Sequence, residues 1–180
     1  MQRITFYLVR HGEAENNIRH ILNSAPVTKE YALTEKGREQ AQTTAQYLAT
    51  VGADALYSSP ILRARETADI IARATGLSVE IDDRLWEVGM GRFNGRSREE
   101  LLEKYPEPEM RLSPDVEDGM ESFLHVHGRL GDFLRDISKS HSGKKVILVS
   151  HGDPLEQLHG ILTHEGPGRA ALGWYPETGS

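Results

Sequence analysis

Two short apolar runs constrain the fold of this chain more than any other feature. Ile4 to Val9 leads into Arg10-His11-Gly12, and Lys145 to Val149 leads into Ser150-His151-Gly152. Both runs are rich in β-formers, and a glycine marks the exit from each strand into a loop. The second, KVILVSHG, has the continuous apolar character of a strand buried on both faces. In open α/β sheets, ligands sit beyond the carboxyl ends of the strands. Two strands that each end in a histidine therefore predict two imidazoles facing one pocket.

The segments between them read as helices alternating with strands. Thr34 is a helix N-cap before EKGREQAQTTAQYLATV, where Ala41, Ala45 and Leu48 share a face and Gly52 closes the run. Ala55 to Tyr57 is a short strand followed by Ser58-Ser59-Pro60, with Pro60 in the first turn of the next helix. That helix carries Leu62, Ala68 and Ile71 and ends near Gly76; Val79 to Ile81 is a further strand. Asp82 to Pro114 breaks the rhythm with Gly89, Gly91 and Gly95, one short helical run (SREELLEKY) and two prolines. It is expected to be an insertion, at about 88–118, lying over the site. An amphipathic helix is expected from Gly119 to about Ser140, and a last helix from Pro154 through Leu162. The economical fold is a single-domain, three-layer α/β/α sandwich over residues 1–180 with a mostly parallel central sheet.

Composition narrows the possible partners. The chain has 180 residues, 38% hydrophobic and 27% charged, as in a globular domain. A net charge of -6 argues against nucleic acid as a partner. It also means that an anion site must gather its own positive charge. No stretch has the apolar length of a membrane helix, and no signal-peptide pattern is present. With no cysteine there is neither a disulfide nor a thiolate nucleophile. The default reading is a cytoplasmic protein without metal or cofactor, acting on a small phosphorylated substrate. The sequence carries no signal for its oligomeric state.

The residue types suit phosphoryl transfer. A neutral imidazole is a good nucleophile near neutral pH, so His11 can carry a phosphoryl group between two displacements. The charge spread over that group calls for guanidinium forks. Arg10 adjoins His11, and Arg63 follows the Ser-Ser-Pro turn at a helix start, where backbone N–H groups also face an anion. His151, if protonated, adds a donor. Glu87, in LWEVGMG, is placed to protonate a leaving alkoxide, and nearby phosphate charge would raise its pKa.

Four stretches, in order, resemble a known family. LVRHGEAENN is similar to the RHG signature of the histidine phosphatase superfamily, the phosphoglycerate mutase-like proteins. SSPILRARETA resembles its second arginine motif, LWEVGMGRFNG its acidic motif, and LVSHGDP its second histidine motif. The resemblance spans Leu8 to Pro154 and implies the family's roles. His11 would be the phosphorylated nucleophile, and Arg10, Arg63, His151 and Gly152 would bind the phosphoryl group. Glu87 would donate the proton, and Asn17 matches a position that contacts phosphate. There are departures. Phe93-Asn94-Gly95 replaces an aromatic-Glu-Gly, Ala14 stands where threonine is common, and the chain stops at GWYPETGS where relatives usually add a strand.

Competing readings are weaker. Arg65 rivals Arg63, but the motif favours Arg63. His125 and His127 suggest a metal pair, yet positions i and i+2 of a helix do not face each other. Gly89 and Gly91 do not complete a dinucleotide fingerprint. Among functions, a phosphatase of small metabolites is expected ahead of a phosphoglycerate mutase, because such mutases carry longer insertions than this chain. A silent phosphate-binding module is opposed by the complete His, Arg, Glu and His set.

Overall fold

A computed structural model of the chain describes residues 3–112, 118–167 and 175–180. Part of the expected insertion (113–117) and Gly173 and Trp174 of the tail motif lie outside the described residues. In chain order the strands and helices are β1 (Thr5–Arg10), α1 (Glu15–Ile18), α2 (Glu35–Val51), β2 (Ala55–Ser58), α3 (Leu62–Thr75), β3 (Val79–Ile81), α4 (Arg98–Lys104), α5 (Phe123–Ser140), β4 (Lys145–Ser150) and α6 (Gly152–Leu162). Short 3₁₀ turns at Asp83–Leu85, Gly91–Phe93 and Pro108–Arg111 break up the segment between β3 and α5.

The sheet runs β1-β4-β2-β3, and every pairing in it is parallel. Alternation along β4 splits the core in two. Val146 and Leu148 join Leu130, Phe133, Leu155 and Leu158 on the α5/α6 side. Ile147 and Val149 join Ala45, Leu48, Ala64, Ala68 and Ile71 on the α2/α3 side. The result is the expected three-layer α/β/α arrangement. Each large apolar side chain fully buried there contributes about 1.5–3 kcal/mol, which pins the strand register that the site uses.

Most element boundaries agree with the sequence patterns. Thr34 accepts from Gly37 N and opens α2, which runs over the expected residues and ends at Gly52 (φ +66°). Three starts differ. α3 begins at Leu62, after an extended Ile61, so Pro60 precedes the helix instead of sitting in its first turn. α5 begins at Phe123, capped by Ser122, because Gly119 adopts a left-handed φ of +67° and Met120 pairs with Met90. α6 begins at Gly152, two residues before Pro154. The tail has a place in the fold. Gly179 N donates to the carbonyls of Arg10 and His11, and Ser180 O accepts from Arg10 N, so residues 175–180 lie against the carboxyl end of β1.

The loop leaving His11 packs directly on the first turn of α2. A Cβ on Gly37 would lie 1.9 Å from the Glu13 carbonyl oxygen, and one on Gly12 2.3 Å from the Gly37 oxygen. Both obstacles are backbone, which gives little. Gly37→Ala is expected to lower unfolding stability by about 2 kcal/mol or more in a urea titration. Gly131→Ala, inside α5 with nothing within 4 Å of the added methyl, should instead raise it by about 0.5–1 kcal/mol. Equal responses would mean that the two backbones do not touch.

Candidate active site

Strand register brings the histidines together. Arg10 pairs with Ser150 across β1 and β4, and Ser58 with Val149 across β2 and β4. The next residues on the outer and central strands are His11 and His151, whose ring centroids lie 5.1 Å apart. That separation is close to the ordinary spacing of neighbouring strands, about 4.8 Å. Both rings are buried, at 1% and 0% exposure. The turn after β2 then carries Ser59 beside His151, and the first turn of α3 aims Arg63 at both rings.

Hydrogen bonding sets the tautomers. The Gly12 carbonyl can only accept, so His11 Nδ1 carries the proton that bonds to it at 2.7 Å. Nε2 of His11 is therefore the lone-pair nitrogen, and Arg63 Nε donates to it at 3.0 Å. Arg63 Nη2 donates to His151 Nδ1 at 3.0 Å, so His151 Nε2 bears the proton it gives to Ser59 Oγ at 2.8 Å. Burial, then the charge of Arg63 and Arg10, hold His11 well below the usual histidine range. Burial, Arg63 and His11 do the same to His151. The conditional expectation of a protonated His151 is thus corrected: in this arrangement it is neutral, with an arginine donating to it.

Arg63 is almost completely buried, and Arg65 points to solvent. Besides the imidazoles, Arg63 donates to Asn23 through Nη1 (Oδ1, 2.7 Å) and Nη2 (main-chain O, 2.9 Å). Burial lowers its pKa to about 10, which still leaves it charged at neutral pH. Arg10 donates Nη1 to the Pro176 carbonyl at 2.8 Å and stacks on Tyr175 at 5.2 Å, while its buried Nε has no partner among the described residues. Asn17 takes the Ala14 N–H on its Oδ1 at the start of α1. Gly152 opens α6, and a Cβ there would fall 2.0 Å from the Tyr175 hydroxyl.

One cleft of about 300 Å³ contains Arg10, His11, Asn17, Arg63 and Glu87 in its lining, together with Arg111 and Asp153. Glu87 is half-buried, and its pKa is raised to about 7, first by burial and then by Asp153; Arg63, the Val88 N–H and Arg10 pull the other way. Phosphate charge, expected from the sequence as the cause of that rise, is not needed, because burial and Asp153 produce it. His151 and Gly152 are absent from the cleft lining and stand behind it. His125 is exposed and His127 half-buried. Among the described residues no three metal-ligating side chains cluster, and no helix is long and apolar enough to cross a membrane.

Several working residues escaped the sequence reading. Asn23 braces Arg63, and Ser59 sets the tautomer of His151. Thr67 receives the Gly12 N–H at 3.1 Å and donates to the Arg63 carbonyl at 2.8 Å, tying α3 to the nucleophile loop. Ser59 and Thr67 lie within SSPILRARETA, where their spacing from Arg63 was available as a signal. Asn23 and Arg111 sit in irregular segments, where no periodicity marks them.

Known proteins match this arrangement over most of the chain. The family model described as histidine phosphatase superfamily (branch 1) covers residues 6–173. Phosphoserine phosphatase 1 of Hydrogenobacter thermophilus is 36% identical over 168 residues, 88% of this chain and 76% of the relative. The 2,3-bisphosphoglycerate-dependent phosphoglycerate mutase of Thermoplasma acidophilum is 33% identical over 172 residues, 96% of this chain and 76% of the relative. The crystal structure of a putative alpha-ribazole-5'-P phosphatase from Escherichia coli K-12 superposes with a TM-score of 0.81 at 26% identity, covering 98% of this chain and 88% of that one. With its two histidines in register and an arginine between them, the chain belongs to branch 1 of the histidine phosphatase superfamily.

Proposed function

We propose that this chain is a phosphatase that hydrolyses a phosphomonoester of a small metabolite through a phosphohistidine on His11. The observation that carries this reading is the tautomer of His11. Its Nδ1 proton is spent on a main-chain carbonyl, so Nε2 keeps a lone pair at neutral pH in a site with arginine charge on the cleft side. The incoming phosphoryl oxygens take over the N–H groups that Arg63 now gives to the imidazoles, and Arg10 and Asn17, which line the same cleft, complete their shell, with His151 and Gly152 supporting Arg63 from behind it. His11 Nε2 attacks phosphorus, the P–O bond to the alcohol breaks, and Glu87 gives its proton to the leaving oxygen. Water then attacks the phosphohistidine, Glu87 takes a proton back, and the P–N bond breaks to restore His11 and free phosphate.

Phosphatase and mutase relatives both occur, and they differ in whether water or a sugar acid receives the phosphoryl group. The 88–118 insertion serves here as the substrate-covering wall, since Met90, Arg98, Leu101, Leu102 and Arg111 line the cleft. The same proposal puts the enzyme in the cytoplasm, which a chain without cysteine suits.

Free phosphate release from p-nitrophenyl phosphate and from 3-phosphoglycerate, without 2-phosphoglycerate, is the expected result; steady isomer formation would make the chain a mutase. His11→Ala should cut turnover by at least about 10³-fold and abolish acid-labile protein-bound phosphate. Full activity in that variant would end the mechanism.

Glu87 supplies a pH test. Its neutral form is the acid, and its pKa near 7 means that form is lost as pH rises through 7. For an alkyl phosphate, kcat/KM should fall about tenfold per pH unit above 7. With p-nitrophenyl phosphate, whose leaving group needs little protonation, that limb should be absent. Glu87→Gln should remove the limb and slow the alkyl ester more. Because a raised carboxyl pKa weakens folding as pH climbs from the unfolded value through the folded one, this variant should also gain more in Tm at pH 8 than at pH 5. A limb that persists in Glu87→Gln would assign the acid role to another group.

A further inference from the structure

The proton donor stands where no regular element holds it. Glu87 lies outside every helix and strand, between the 3₁₀ turn at Asp83–Leu85 and the bridge from Met90 to Met120. It lines two clefts at once: the phosphoryl cleft, and a second of about 550 Å³ that Trp86, Gly89, Met120, Glu121 and Arg129 also line. The segment carrying it is thus a partition with space on two sides, and side-chain packing alone does not hold such a wall still. A general acid must meet its oxygen within hydrogen-bond reach, and a misplacement of about 1 Å costs most of the effect. The Glu87 carboxyl accepts the Val88 N–H at 2.9 Å, which is a contact within the loop and no anchor to the fold.

The anchor is an ion pair. Arg129, on α5, spreads its guanidinium over two carbonyls and a carboxylate. Nη1 donates to the Arg84 carbonyl, and Nη2 to the Trp86 carbonyl at 2.9 Å. Nε and Nη2 donate to the two carboxylate oxygens of Glu121, at 2.8 and 3.0 Å. Glu121 then grips the other side of Glu87. Its Oε2 accepts the Gly89 N–H at 3.1 Å, and its main-chain N–H donates to the Gly89 carbonyl at 2.7 Å. The main chain is therefore held at the residue just before Glu87 and at the second residue after it. A planar fork can serve a carboxylate and two carbonyls together, and a lysine ammonium cannot. Both side chains are largely withdrawn from water, at 19% and 24% exposure, so the pair is screened less than one on the surface. It acts through position: the charges that move the Glu87 titration belong to Asp153 on α6, Arg63 on α3 and Arg10 on β1.

Building on the phosphatase reading, we propose that Arg129 and Glu121 are positioning residues for the proton donor, clamping the main chain on both sides of Glu87 so that its carboxyl meets the leaving oxygen. Two aryl esters that differ by one nitro group read this out. Phenolate leaves less readily than nitrophenolate, so phenyl phosphate needs the acid and p-nitrophenyl phosphate needs it little. Arg129→Lys keeps the charge and loses the fork. It should lower the ratio of kcat/KM for phenyl phosphate to that for p-nitrophenyl phosphate about tenfold. The fall of the phenyl ester's kcat/KM above pH 7 should also flatten, because the acid-assisted path no longer carries the reaction. Glu121→Gln, which loosens the Gly89 side of the loop, should shift the ratio in the same direction. In a Glu87→Gln background either change should move the ratio by less than about twofold, since no donor is left to position. Loss of folded protein lowers both rates alike and cancels in the ratio. An unchanged ratio in either variant, or a drop that survives undiminished in Glu87→Gln, would overturn the clamp and leave the phosphatase reading standing. Hydrolysis of neither ester by the unmodified chain would overturn both.

Discussion

The site is organised around one buried guanidinium. Arg63 reaches His11 with one nitrogen, His151 with a second, and Asn23 with two of its three nitrogens. Taking an unpaired charge out of water is expensive, and none of the hydrogen-bond acceptors around it is an anion. Asn23, the Asn23 carbonyl and two imidazoles compensate only in part, which is why burial lowers the pKa of an arginine. The shortfall has a chemical use. A guanidinium satisfied by neutral acceptors gains when a phosphoryl group takes their place, so the arrangement favours negative charge at this point.

The same charge settles the state of both histidines. A cation that donates to a ring nitrogen excludes a proton from it. His11 is neutral with Nε2 available, and His151 is neutral with its proton turned to Ser59. Glu87 responds in the opposite direction, because burial and Asp153 outweigh the pull of Arg63 and Arg10. Groups that titrate two units apart in water are thereby driven past one another, which lets a neutral base and a neutral acid coexist near pH 7. Such inversion is characteristic of sites that use both in one step.

Much of the framework was legible in the chain. α2 was readable to the residue, since Thr34 caps it and Gly52 ends it, and all four strands were found within a residue or two. The four motifs named residues that the fold brings to one cleft, Arg10, His11, Asn17, Arg63 and Glu87. Legibility failed where local signals were silent. The start of α5 depended on the left-handed turn at Gly119 and a bridge to Met90, both tertiary features. The cause of the Glu87 shift was misassigned because its neighbour Asp153 is 66 positions away in sequence. Asn23 and Arg111 carry no periodicity and acquire meaning only from what they touch.

Local sequence determined the elements and the chemical kinds of group at their ends: strands that finish in histidine, a helix that starts with arginine, a loop that offers a carboxyl. These follow from short-range rules of propensity, capping and alternation. Only the tertiary structure decided that β4 lies between β1 and β2 in a register that sets His11 beside His151, with Arg63 bonded to both. Register depends on burying Val146 and Leu148 on one face and Ile147 and Val149 on the other against helices distant in sequence. Protonation states follow from that burial, because a proton's free energy depends on the charges and solvent around it and not on its neighbours along the chain.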